Sequence, residues 1–128
     1  MRLTWVFPAL LVLAFPLRAE PFSQSPRELG PIVMRELSIE ERKLVFRVDS
    51  GGCTDAASFK VDVKKEEGVS GGMPHYRLTV RRVRVDECKA MLWDGVVIEL
   101  DLEKDVGLKG SFTISVENPV ALKSRVTT

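Results

Sequence analysis

Histidine is almost missing from this chain: His75 is the only one, and that removes most catalytic arrangements at once. A serine triad needs a nucleophile paired with it, and Ser50, Ser58 and Ser70 sit in no nucleophile motif. Cysteine is equally sparse. Cys53 and Cys88 are the only two, too far apart for a Cys-x-x-Cys redox pair. With one histidine they also fall short of a tetrahedral metal set. Aromatic residues make up only 7% of the chain, and no window shows convincing helical periodicity, the best being the short stretch Asp86 to Trp93. Repeats, low-complexity tracts and long runs of like charge are lacking too. A net charge of +1 gives no field for capturing nucleic acid.

What is present begins at the N-terminus. Arg2 precedes an apolar run from Leu3 to Leu17, broken only by Thr4, Pro8 and Pro16, and the small residue Ala19 follows. These are the parts of a cleavable export signal, with Val12-Leu13-Ala14 as a second cleavage choice. A retained anchor needs about 18 or more apolar residues, and this run stops at Arg18 after Pro16. No cysteine lies near either site to accept a lipid. Cleavage after Ala19 leaves 109 of the 128 residues, and the 19 basic residues fall to 17 against 18 acidic ones. The expected product is one secreted or periplasmic domain with no stable membrane anchor. In an oxidising compartment an even cysteine count means pairing, so Cys53 and Cys88 are expected to form a structural disulfide.

Alternating apolar and polar residues dominate the rest. Leu44, Phe46 and Val48 alternate with Lys43, Arg47 and Asp49; Phe59, Val61 and Val63 with Lys60, Asp62 and Lys64. Val96, Ile98, Leu100 and Leu102 repeat the pattern, as do Phe112, Ile114 and Val116. Each predicts a half-buried strand. Ile32 to Ile39 predicts a first strand that turns through Glu40-Glu41-Arg42. In His75 to Asp86 the phase slips at Arg81-Arg82, which predicts a β-bulge that turns Tyr76, Leu78, Val80, Val83 and Val85 to the core. Arg77, Arg81, Arg82 and Arg84 would then form a solvent-facing stripe. Glycine pairs and Asp94-Gly95 mark turns between strands. The expected fold is all-β: a small antiparallel β-sandwich with immunoglobulin-like layers, about six to seven strands and one disulfide. Residues 1–19 are the signal peptide, 20–31 an extended Pro-rich arm, 32–120 the single sandwich domain and 121–128 a C-terminal tail.

Function is expected to lie in binding rather than chemistry, with no cofactor: a binding, inhibitor or accessory module. Met91, Leu92 and Trp93 place an apolar tip just beyond Cys88, an arrangement that suits a binding loop. The arginine stripe, Arg77, Arg81, Arg82 and Arg84, suits a carboxylate-rich protein, an anionic glycan or a phosphate group. If 75–86 and 96–103 form a hairpin, Glu99, Asp101 and Glu103 face that stripe and neutralise it. A copper-handling alternative uses the thioether of Met73 and the imidazole of His75, with Met91 as a distant third ligand. A small hydrolase built on Glu99 and Asp101 as an acid–base pair is the third possibility. The strings Ser50-Gly51-Gly52-Cys53-Thr54-Asp55 and Asp86-Glu87-Cys88-Lys89-Ala90 look like signatures, yet their residue types assign no chemistry.

Overall fold

The computed structural model describes residues 25–67 and 71–121. The expected signal peptide, the start of the arm and most of the expected tail lie outside them. Among the described residues seven strands form two sheets, with a single 3-10 turn at Ala56–Ser58. In the first sheet β5 (His75–Arg82) pairs antiparallel along its full length with β4 (Phe59–Glu66). Its other side is shared. β1 (Gly30–Pro31) pairs with Arg82 and Arg81, while β7 (Thr113–Val116) runs parallel beside His75 to Leu78. The second sheet is antiparallel, in the order β2 (Glu36–Glu40), β3 (Lys43–Val48), β6 (Val96–Asp101).

The alternation expected from the sequence builds the core. Leu44, Phe46 and Val48 meet Ile98 and Leu100 from one sheet, and Phe59, Leu78 and Val80 face them from the other. Phe46 and Phe59 join the sheets edge to face, with ring centroids 5.4 Å apart. The small antiparallel β-sandwich with one disulfide is therefore the fold of this chain.

The predicted strand Ile32 to Ile39 is divided. The chain leaves the first sheet after Pro31, crosses at the fully buried Met34 and enters the second sheet at Glu36. Met34 forms a bridge with Val120 as it crosses. Asn118, also buried, fills the gap between β1 and β7. Its Oδ1 accepts from Val80 N at 2.7 Å, and its Nδ2 donates to Ile32 O at 2.9 Å and Val80 O at 2.8 Å. Chain crossing and Asn118 close this side of the sandwich.

The expected β-bulge is absent. Strand β5 ends at Arg82, so Arg82 keeps the inward phase of Leu78 and Val80 and is only 4% exposed. Val83 and Val85 follow the strand end and are exposed. The apolar pair after Arg82 mimicked a phase slip, whereas the inward position belongs to the arginine. Nor do 75–86 and 96–103 form a hairpin. They lie in different sheets, which separates the carboxylates of β6 from the arginines of β5.

Candidate functional site

Two loops meet at one end of the sandwich: 49–55 after β3, and 83–95 between β5 and β6. Cys53 and Cys88 form a disulfide between them, with Cα atoms 5.5 Å apart. The tighter junction is Asp86, a fully buried carboxylate that sequence reasoning passed over. Its oxygens accept from Ser50 Oγ at 2.9 Å, Gly51 N at 2.8 Å, Thr54 Oγ1 at 2.6 Å and Cys88 N at 3.1 Å. Cys53 N adds a shared bond at 3.3 Å. Burial pushes the Asp86 carboxyl up, but the donors led by Thr54, Gly51 and Ser50 outweigh it and hold the pKa at about 2.

This carboxylate explains the two signature-like strings. Ser50, Gly51, Cys53 and Thr54 supply donors to an acceptor in the second string. Gly51 O in turn accepts from Ala90 N at 2.7 Å, and any side chain at Gly51 would run into the Cys88 carbonyl. Arg82 closes the arrangement from the core: it donates to Thr54 Oγ1 at 2.9 Å and Asp49 O at 3.1 Å, and stacks on Phe59. The spacing of Ser/Gly/Thr around Cys53 against the acidic pair Asp86-Glu87 before Cys88 was the available signal.

Beyond this clamp the second loop turns back at Leu92–Gly95, closed by Gly95 N donating to Leu92 O at 2.9 Å. Gly95 has φ +65° and packs against the Val48 carbonyl, a position that excludes a side chain. Arg47 donates to Asp94 O at 3.2 Å, and Arg35 reaches Trp93 O. The turn backbone is thus tied to the second sheet while its side chains face solvent. Trp93 is 75% exposed and Met91 76%, with Leu92 beside them.

The arginine stripe does not exist as one surface. Arg77 lies on the outer face of the first sheet, paired with Glu66 and with Glu117 at 3.1 Å. Arg81 pairs with Asp62 at 3.3 Å and Arg84 with Asp55 at 2.6 Å. Arg82, expected in solvent, is buried. Local carboxylates neutralise these arginines, but they are not the ones expected from β6.

His75 is half-buried at the start of β5. Its ring nitrogens contact Thr113 Oγ1 at 2.7 Å and Ser115 Oγ at 3.0 Å, which ties β5 to β7. Met73, the other proposed copper ligand, is exposed. Glu99 pairs with Lys43 at 3.3 Å. Asp101 accepts from Glu103 N and Lys104 N, both at 2.9 Å. The Lys104 N–H, ahead of burial, which opposes it, and of Glu103, holds the Asp101 carboxyl below its usual range. These two carboxylates serve separate local structures. Among the described residues, Cys53, Asp86 and Cys88 place potential ligand atoms within 4.8 Å of one another. The disulfide consumes both thiols, and donors already occupy the carboxylate. No family model, curated protein or solved structure matches the chain.

Proposed function

We propose that this is a secreted or periplasmic binding module that acts on a protein partner without chemistry of its own. The observation that carries the reading is the exposed Met91–Trp93 tip, whose backbone is held by Arg35, Arg47, the disulfide and Asp86. A tryptophan presented on a fixed turn loses little conformational freedom on docking, which favours affinity. The self-neutralised arginines leave this tip as the better surface. Export rests on the N-terminal apolar run and agrees with the disulfide. Among the described residues no helix is long and apolar enough to cross a membrane.

The test compares the intact protein with a Met91→Ser/Trp93→Ser variant by photo-crosslinking in periplasmic extract. We expect partner bands to fall at least tenfold with thermal stability unchanged. Identical bands from both proteins would overturn the reading. Intact mass of the exported protein should correspond to loss of residues 1–19; a retained N-terminus refutes cleavage.

A further inference from the structure

One side of the sandwich is closed by Met34 and Asn118, and the opposite side is open. There β4 and β6 each have a single strand neighbour, so their outer edges are unpaired among the described residues. Between them lies a groove of about 640 Å³, floored by Phe59, Val61 and Leu100. Beyond the groove, Val63 continues the inward phase of β4 and is 39% exposed. Two lysines, Lys60 and Lys104, rim the groove. Neither makes an ion pair among the described residues. Lys60 stands directly opposite Arg81, whose charge is met by Asp62 at 3.3 Å. The groove's one acid, Asp105, is engaged by Asp101 N at 2.7 Å.

An unpaired strand edge offers main-chain donors and acceptors, and an apolar floor accepts alternate side chains of an added strand. We infer that the β4 edge accepts an extended segment of a partner protein, with apolar side chains at alternate positions and an acidic side chain against Lys60 and Lys104. The β4 edge spans eight residues against six for β6, and it carries the unpaired Lys60. This site is separate from the Met91–Trp93 tip and does not depend on it.

The probe is a blocked ten-residue peptide alternating valine with glutamate and threonine, titrated into the protein with backbone amide shifts read by NMR. A matched peptide with lysine in place of glutamate is the control. We expect amide shifts along 60–65, slowed hydrogen exchange there, and at least tenfold weaker binding of the lysine peptide. A Lys60→Glu/Lys104→Glu variant should invert that preference. The Met91→Ser/Trp93→Ser variant should bind the probe unchanged, which separates this site from the tip. Unshifted β4 amides at millimolar peptide, equal binding of the two peptides, or concentration-dependent pairing of β4 with a second copy of the chain would each overturn the inference.

Discussion

Asp86 shows how much a single side chain contributes when it is buried and fully partnered. A buried carboxylate is unfavourable in isolation, yet here hydroxyls and amides from loop 49–55 and Arg82 from the core surround it. Asp86→Ala leaves those donors without their acceptor and removes one of the two carboxylates that offset the Arg82 charge, Asp49 being the other. We expect a loss of about 3–5 kcal/mol in urea unfolding, a large share of a small domain's stability. The pH dependence has a definite sign. The folded pKa of about 2 lies below the ordinary 3.8, so ionised Asp86 favours the folded state above about pH 4. That contribution, about 2 kcal/mol, fades as pH falls from about 4 towards 2. Unfolding measured across that range should show a shallower acid limb in Asp86→Asn than in the parent. Equal acid limbs would mean that other carboxylates carry the effect.

Among the elements, the β2–β3 hairpin breaks a local rule. Its two turn residues, Glu41 and Arg42, have φ of 46° and 67°, where asparagine and glycine are usual. Arg42 has compensation. Its guanidinium donates to Gly110 O at 3.0 Å and Leu108 O at 3.2 Å, and lies 5.1 Å from the Phe112 ring centroid. Among the described residues no such contact holds Glu41. Glu41→Asn should therefore raise stability by about 0.5 kcal/mol. Arg42→Gly should lower it by about 1 kcal/mol despite the easier backbone, because its hydrogen bonds and ring contact are lost. Thermal melts of the two variants check the opposite signs. Strand β5 teaches a related lesson: alternation located the strand, but its end at Arg82 depended on Asp49, Thr54 and Phe59, which no local pattern names.

For the whole molecule, the disulfide and Asp86 brace the same pair of loops. The Cys53–Cys88 bond spans 35 positions, and closing a loop of that length restricts the unfolded chain by about 4 kcal/mol. Cys53→Ser/Cys88→Ser should lower Tm by about 15 °C or more. A fall of only a few degrees would show that the Asp86 hydrogen bonds hold the loops by themselves. Reading the two cysteines as a brace near Trp93 needed only their positions after predicted strands. Reading the arginines as one stripe failed because strand phase decides which side chains face water, and pairing decides which carboxylates they meet.

The sequence by itself determined the strands, most of the core, the disulfide partners and the apolar tip. Those features follow from period-two burial, from an even cysteine count and from short-range turn chemistry. Tertiary structure alone decided the division of Ile32 to Ile39 between sheets, the parallel β5–β7 pairing, the burial of Arg82, the role of Asp86 and the open β4–β6 side. Each of these depends on groups far apart in sequence meeting across the fold. Hydrogen-bond partners and strand neighbours of that kind leave no periodic trace in a single chain.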